Sequence, residues 1–254
     1  MNNIFNNLKK KKLYIFPISD LHLGSPACNL DYFDYWKTVF KKTRTKNKII
    51  YLLGDMIDFQ SLRVGAWDFD ATADEQILHL QYLLKPYRKY IRYIVPGNHT
   101  LRGKKDFNLD IGRVVADRLN VPYSSTDFFD TLEIDHKPFV IYGKHGTRFS
   151  KNQKLAEKNF IADCAGVNAD LCLQGHNHYA SGFDSVIRTA QNLKLRYYGF
   201  TGNYIQYYNS YARRKGSTVM PESFMKFSID KNLKVNWQTF NIIKERPDLI
   251  YYGD

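Results

Sequence analysis

The sequence predicts an α/β fold, and two observations carry the prediction. Short apolar runs of strand length alternate along the chain with longer segments whose apolar residues recur at helical spacing. Most of these runs also stop at a small polar cluster that contains glycine, as strand ends do at the ligand edge of an α/β sheet. At 254 residues the chain can bury a full core.

The elements follow in order. The run Leu13–Ile18 ends at Ser19-Asp20, and Leu30, Phe33, Trp36 and Phe40 then predict a helix. Lys48–Leu53 is a second buried-strand pattern, ending at Gly54-Asp55. Residues 73–90 read as a helix with Ile77, Leu80 and Leu84 on one face, bent or ended by Pro86. Ile91–Val95 is a third strand, closed by Pro96-Gly97. A shorter helix is expected over residues 108–119, and residues 131–134 and 139–142 pattern as a hairpin around Asp135-His136-Lys137-Pro138. Ser150 is the expected N-cap of a helix running to Ala165, with Gly166 past its end. Residues 170–173 form another short strand ending at Gln174-Gly175-His176, and residues 183–242 pattern as strands with turns at Gln191-Asn192 and Asp230-Lys231. No repeat or low-complexity linker interrupts this order. One domain is expected over residues 13–242, with a basic tail over residues 1–12 and a second tail over residues 243–254.

Charge narrows the partners. Lys and Arg number 37 against 25 Asp and Glu, a net charge of +12. The positive residues clump at residues 9–12, 37–48, 85–105 (Arg102 and Lys104 among them) and 213–215, with tyrosines interleaved, a pattern that suits nucleic acid as partner. No apolar run approaches the roughly 18 residues of a membrane-spanning helix, so no transmembrane segment is expected. Leu13–Ile18 is too short for a signal-peptide core, and a cytoplasmic location is expected. The three cysteines are odd in number and show no CxxC spacing, which argues for free thiols and against a disulfide framework or a cysteine-built zinc site.

The chemistry sits just past the strand ends. Asp20-Leu21-His22 sets a carboxylate and an imidazole within reach of one cation. Gly54-Asp55-Met56-Ile57-Asp58 adds two carboxylates, Gly97-Asn98-His99 an amide oxygen and an imidazole, Gly143-Lys144-His145 another imidazole, and Gly175-His176-Asn177-His178 two more. Singly, each motif is an ordinary turn. Together they take in five of the chain's seven histidines, and the remaining two, His79 and His136, fit a helix position and a turn.

In this combination and order the chain resembles the calcineurin-like metallophosphoesterase superfamily, whose pattern is Asp-x-His, Gly-Asp-x-x-Asp, Gly-Asn-His, a lone His, then Gly-His-x-His. The resemblance runs over residues 20–178 and implies an αββα sandwich, two mixed β-sheets flanked by helices with a dinuclear metal site at the strand ends. It also implies roles. Asp20, His22 and His178 would hold one metal, Asn98, His145 and His176 the second, and Asp55 would bridge them. Mixed nitrogen and oxygen donors suit Mn²⁺ first, then Fe or Zn²⁺, over Ca²⁺ or Mg²⁺. A hydroxide bridging the metals would attack phosphorus, His99 would protonate the leaving oxygen, and Asp58 would orient His99.

The pattern departs from the protein Ser/Thr phosphatase branch, which continues Gly-Asp-x-x-Asp with Arg-Gly and Gly-Asn-His with Glu. Phe59-Gln60 and Thr100 stand there instead, so the arginine that grips a phosphomonoester is missing from its place. Arg148, three residues past His145, fits a surface position better than a phosphate grip. The expected activity is therefore a metal-dependent phosphodiesterase, with nucleic acid the first choice of substrate. The alternatives are a phosphomonoesterase or small-nucleotide or pyrophosphate hydrolase of the same superfamily, and a non-catalytic scaffold that keeps the fold.

Overall fold

The computed structural model describes residues 4–5, 12–59, 71–188, 192–206 and 220–250. The basic residues at 9–11 and 213–215, the turn residue Gln191 and Gln60 lie outside them. In chain order the elements are β1 (Ile4–Phe5), β2 (Leu13–Ile18), α1 (Leu30–Lys42), β3 (Lys48–Leu53), α2 (Ala73–Leu84), a 3₁₀ segment (Lys85–Tyr90), β4 (Ile91–Val95), α3 (Thr100–Phe107) and α4 (Ile111–Leu119). There follow β5 (Asp127–Ile134), β6 (Lys137–Lys144), α5 (Gln153–Asp163), β7 (Leu171–Gln174), β8 (Ala180–Arg188), β9 (Leu193–Asn203), β10 (Ser223–Ile229), β11 (Val235–Asn241) and a short α6 (Ile242–Glu245).

Strand alternation distributes side chains among three cores. In β3, Ile49, Tyr51 and Leu53 face one way and Ile50 and Leu52 the other, following the two-residue period of a strand. The first set meets Phe139 and Ile141 of β6 and Leu171 and Leu173 of β7 between two sheet halves. The second set packs under Trp36 of α1, Leu80 of α2 and Val115 of α4. On the far side, Tyr142, Cys172 and Tyr198 pack against Ala156 and Phe160 of α5. The layers are thus helix, sheet, sheet, helix: the αββα sandwich.

The strand order is β1-β5-β6-β7-β9-β10-β2-β3-β4, with β8 on β9 and β11 on β10. Among the strands of the described residues, the halves join where Gly202 and Asn203 of β9 pair with Phe224 and Ser223 of β10. Gly202 has φ +92°, and a Cβ there would fall 1.9 Å from the Ser223 carbonyl oxygen, so the crossing requires glycine.

Some local expectations shift. The helix expected over residues 108–119 begins at Ile111, and a separate helix that the sequence pattern does not announce, α3, precedes it. Asn108 adopts the left-handed conformation (φ 53°) and ends α3, and the Asp110 carboxylate caps α4 by accepting the Arg113 N–H at 3.0 Å. The helix expected from Ser150 begins instead at Gln153, capped by Asn152, whose side chain accepts the Leu155 N–H at 3.2 Å. Ser150 Oγ accepts the Asn152 N–H and so shapes the turn before the cap. Helix α2 gives way to a 3₁₀ segment at Lys85, one residue before Pro86, which has no N–H to donate. The hairpin turn is Asp135-His136 alone, with φ 46° and 65°, the positive pair that a two-residue hairpin uses. No helix among the described residues is long and apolar enough to cross a membrane.

One structural carboxylate yields a stability prediction. Glu222 is buried just before β10, where its Oε1 accepts Asn29 Nδ2–H at 3.0 Å. Burial raises its pKa, partly opposed by that hydrogen bond. A carboxyl raised on folding stabilises the fold below its unfolded pKa, and the contribution is lost as pH climbs through the folded value. Glu222→Gln keeps the acceptor without the charge. Its melting temperature should exceed wild type at pH 8, and the gap should close towards pH 5; a constant gap at both pH values would exclude titration of Glu222 as the cause.

Candidate metal centre

The carboxyl ends of parallel strands bring the polar clusters together. Strands β2, β3 and β4 are parallel neighbours in one half, and β6 and β7 in the other. Asp20 and His22 follow β2, Asp55 and Asp58 follow β3, Asn98 and His99 follow β4, His145 follows β6, and His176 and His178 follow β7. Side chains from both halves meet at this edge.

Their donor atoms form three overlapping groups, Asp20/His22/His178, His22/Asp55/His99 and Asp55/His145/His176, with the atoms of each group within 4.8 Å of one another. Asp20 Oδ1 lies 3.4 Å from His178 Nε2 and 3.8 Å from His22 Nε2. Asp55 Oδ2 lies 3.0 Å from His145 Nε2 and 4.0 Å from His22 Nε2, which sets this carboxylate between the first group and the third. Asn98 Oδ1 joins the third group, 3.0 Å from His145 Nε2. Asp20 Oδ1 and His22 Nε2 are buried with no hydrogen-bond partner. Buried polar atoms are normally satisfied, and converging carboxylate oxygens and imidazole nitrogens left without hydrogen-bond partners match the donor set of a cation.

The backbone is bent to aim these groups. Asp20, His22, Asp55, His176 and His178 all have positive φ, from 48° to 66°. Each such conformation costs of order 1–3 kcal/mol in a non-glycine residue and persists only where the surroundings enforce it. Close packing supplies the enforcement. Gly54 (φ +87°) would place a Cβ 2.4 Å from His145 Nδ1, and Gly97 would place one 2.0 Å from Asp55 Oδ1. Glycine at these two positions lets neighbouring strand ends approach.

A second layer of contacts orients the donors, as it does in metal sites generally. Ser19 Oγ–H and the His176 N–H (2.9 Å) both donate to Asp20 Oδ2, leaving Oδ1 for the centre. The His99 N–H donates to Asp55 Oδ1 at 2.9 Å, leaving Oδ2. His145 Nδ1–H donates to the Leu53 carbonyl at 2.8 Å, turning Nε2 inward. His22 Nδ1 meets Asp58 Oδ1 at 3.1 Å. Asn203 Nδ2–H donates to the His178 carbonyl at 3.0 Å. Asn177, the middle residue of the Gly-His-x-His motif, accepts the Ser150 N–H (2.9 Å) and donates to the Arg148 carbonyl (3.2 Å), tying the loop after His145 to the loop after β7. Ser19, Asn177 and Asn203 carry no signal in the sequence, because their partners come from distant segments.

Charges compensate within the cluster. Burial works against both carboxylates, yet the imidazoles of His178, His22 and His145 hold Asp20 well below the ordinary carboxylate range. His145, with His22 and His99, likewise brings Asp55 to about 2. In turn, despite burial, Asp20 and Asp58 raise His22 to about 10, and Asp55 and Asp20 raise His145 to about 9. His176 is pulled down to about 4 by burial and by His145. Divalent cations would take over this compensation, with imidazole and carboxylate both binding in their deprotonated forms.

His99 stands beside the donors, half-buried, its ring 4.4 Å from that of His22 and nearly perpendicular to it. Asp58 Oδ1 contacts His99 Nδ1 as well as His22 Nδ1, so the carboxylate expected to serve His99 alone serves two imidazoles. Burial and His22 lower the His99 pKa against the pull of Asp58. Arg102 Nη2 lies 3.1 Å from His99 Nε2, a contact made possible by α3, which puts residues 99 and 102 on one helical face. Phe149 packs its half-exposed ring 6.2 Å from those of both His176 and His178.

Among the described residues, the basic segments at 43–47 and 85–90 do not reach this edge. Residues 43–47 and 85–90 lead into the amino ends of β3 and β4, the opposite edge of the sheet. Five residues of β4 alone separate the two edges by about 17 Å, at about 3.3 Å per residue. Lys48 is structural, its Nζ donating to the Phe40 (2.7 Å) and Thr43 (3.1 Å) carbonyls. On the metal-centre side, residues 85–105 contribute Arg102 and the exposed Lys104 and Lys105. Arg148 is exposed, with Asp163 Oδ1 3.9 Å from its guanidinium.

Comparison with known proteins accords with this geometry. The family model described as calcineurin-like phosphoesterase matches residues 14–200 of the 254. Similar solved structures include a conserved Streptococcus pneumoniae protein described as a predicted phosphoesterase (16% identity, covering 91% of this chain and 98% of that one, TM-score 0.39). They also include Entamoeba histolytica Vps29 complexed with Zn²⁺ (13% identity, 91% and 93%, TM-score 0.43). A Saccharomyces cerevisiae protein serine/threonine phosphatase is similar at 11% identity, over 94% and 83% of the two chains, with TM-score 0.39. No curated protein matches the sequence.

Proposed function

The chain belongs to the calcineurin-like phosphoesterase family, and from that premise we propose that it is a divalent-metal-dependent phosphodiesterase, with nucleic acid as the first substrate to test. The observation that carries the reading is the convergence of five strand-end clusters on buried, unpartnered Asp20 Oδ1 and His22 Nε2. A scaffold without metals gains nothing from five strained residues around orphaned donors.

Asp20, His22 and His178 would hold one cation, Asn98, His145 and His176 the other, and Asp55 would serve both. Divalent cations bound there supply Lewis acidity, which offsets charge on phosphate oxygens and activates water. His99 serves the leaving side. Once Arg102 has moved off Nε2, that nitrogen takes up a proton from solvent. The water oxygen, having released a proton to solvent on activation, bonds to phosphorus as the P–O bond to the leaving group breaks. His99 gives its Nε2 proton to the departing oxygen, and the product leaves as an alcohol. Asp58 keeps the other ring nitrogen protonated and the imidazole oriented. In the resting arrangement Arg102 faces Nε2, so a substrate must draw the guanidinium aside before that nitrogen can act.

The diester preference is supported by buried Phe59 and by Thr100, which stand where the phosphatase branch carries Arg and Glu. Nucleic acid is supported by the net charge of +12 and by exposed Lys104 and Lys105 beside the centre, the clusters on the opposite edge being out of reach.

The test is Mn²⁺-reconstituted protein assayed on a chromogenic phosphodiester and on the matching monoester. Diester turnover that exceeds monoester turnover and vanishes with a chelator is expected. The reverse order would refute the diester preference, and bound metal without turnover of either would return the chain to a scaffold. For single-stranded oligonucleotides, log affinity should fall against log salt by about 0.7 per phosphate contacted, and the Lys104→Glu/Lys105→Glu pair should flatten that slope. A weak, salt-insensitive interaction with every oligonucleotide would rule out nucleic acid.

A further inference from the structure

We infer that Arg102 is the phosphate-binding cation of this site and that it rests on His99 until the substrate arrives; the inference builds on the hydrolytic reading above. Three observations point to it. The guanidinium is half-buried at the rim of the metal centre, with Nη2 3.1 Å from His99 Nε2 and Nη1 3.4 Å from the Phe59 carbonyl. Among the described residues no carboxylate lies within ion-pair distance of it. Its position also reaches the backbone of Phe59, the residue that stands where the phosphatase branch has its arginine.

What singles Arg102 out is that, among the described residues, neither a carboxylate nor a set of carbonyls takes up its charge. A guanidinium stays charged at every relevant pH, and one withdrawn from water normally finds a partner for its charge. Other arginines of the described residues do so. Arg92 pairs with Asp130 through Nε (2.9 Å) and Nη2 (2.6 Å), Arg246 pairs with Asp248, and Arg196 donates to the carbonyls of Ala169, Cys164 and Val167. Among the described residues Arg102 has a neutral imidazole nitrogen and one distant carbonyl oxygen as its partners. Of its five N–H groups these occupy two, and the rest are available to an anion. The neighbouring Asp55 and Asp58 are committed to the imidazoles, and cations in the centre would engage Asp55 further.

A phosphate ester entering this edge brings the anion. Its non-bridging oxygen offers a far better acceptor for the guanidinium than an imidazole nitrogen. Arg102 then leaves His99 Nε2 for the phosphate, and the freed nitrogen faces the leaving oxygen. One guanidinium matches the single negative charge of a diester phosphate. The arginine lost from the strand-end loop is thereby replaced from a helix that begins at the next motif.

Two variants and two readouts test this. Arg102→Met removes the charge at similar length, and Arg102→Lys retains charge without the fork. With diesters bearing either a nitrophenolate or an alkyl leaving group, Arg102→Met should raise KM about 10- to 100-fold on both, as loss of a hydrogen bond to a charged group does, and Arg102→Lys should recover part of it. Titration calorimetry of inorganic phosphate into the Mn²⁺-loaded proteins should show a parallel loss of affinity, independent of turnover. Unchanged KM with a fall in kcat confined to the alkyl leaving group would make Arg102 a positioning residue for His99 and overturn the inference. Equal phosphate affinity in wild type and Arg102→Met would overturn it too. If the wild-type protein hydrolyses neither ester yet binds phosphate through Arg102, the hydrolytic reading fails and the anion site stands.

Discussion

Asp55→Asn should empty both cation positions and lower diester turnover by about 10³-fold. Asp55 Oδ2 lies between His22 Nε2 and His145 Nε2, and it is the one carboxylate that occurs in two of the three donor groups. The amide keeps an oxygen to accept the His99 N–H but has no negative charge to share between two cations. Lewis-acid stabilisation is worth several kcal/mol, and each 1.36 kcal/mol is tenfold, which sets the expected size at about 10³. Elemental analysis after Mn²⁺ reconstitution should find two metals per chain in wild type and a clear deficit in the variant. A folded Asp55→Asn protein with both metals and wild-type turnover would exclude Asp55 as their common ligand. Loss of one metal alone would place Asp55 on a single site.

His99→Ala should keep its metals and lose turnover selectively. The ring touches Asp58 and Arg102, and although one of its nitrogens falls in a group with His22 and Asp55, its hydrogen bond to Asp55 is made by the backbone N–H. General-acid catalysis is worth about 10²–10⁴-fold, so an alkyl leaving group should lose that much, whereas a nitrophenolate, stable without a proton, should lose little. Equal losses on both leaving groups, with metal content intact, would remove His99 from the acid role. The neighbouring carboxylate makes a poorer probe. Asp58 contacts His22 Nδ1 as well as His99 Nδ1, and its removal would disturb a metal donor and the acid together.

The two variants separate metal from proton because the fold separates the residues. Asp55 and His99 arrive on adjacent parallel strands, β3 and β4, and the His99 backbone N–H steadies the very carboxylate whose loss is tested. His99→Ala retains that N–H. Asp55→Asn leaves the ring of His99 against Asp58. Each substitution therefore removes one function and preserves the main support of the other.

By itself the sequence determined most of the element types and picked out the side chains that meet at the strand-end edge. Helix α1 was legible in Leu30, Phe33, Trp36 and Phe40, and β3 in an unbroken apolar run, because both patterns arise within a segment and repeat with its period. The five motifs were legible for the same reason: Asp20 and His22, or His176 and His178, need only two residues of spacing to present donors together. Tertiary structure alone decided the rest. The basic residues at 43–47 and 85–90 end up on the edge opposite the metal centre, because a segment that leads into a strand lies at its amino end while the donors follow its carboxyl end. Arg102 was one more positive residue among residues 85–105 until α3 turned it onto His99. Asn203 reaches the His178 carbonyl across 25 residues, and Ser19 reaches Thr201 across 182. Such contacts follow from how two sheet halves fold face to face about Gly202. No periodicity within a segment records that packing, and so the support and the charge of this site were settled only when the chain closed on itself.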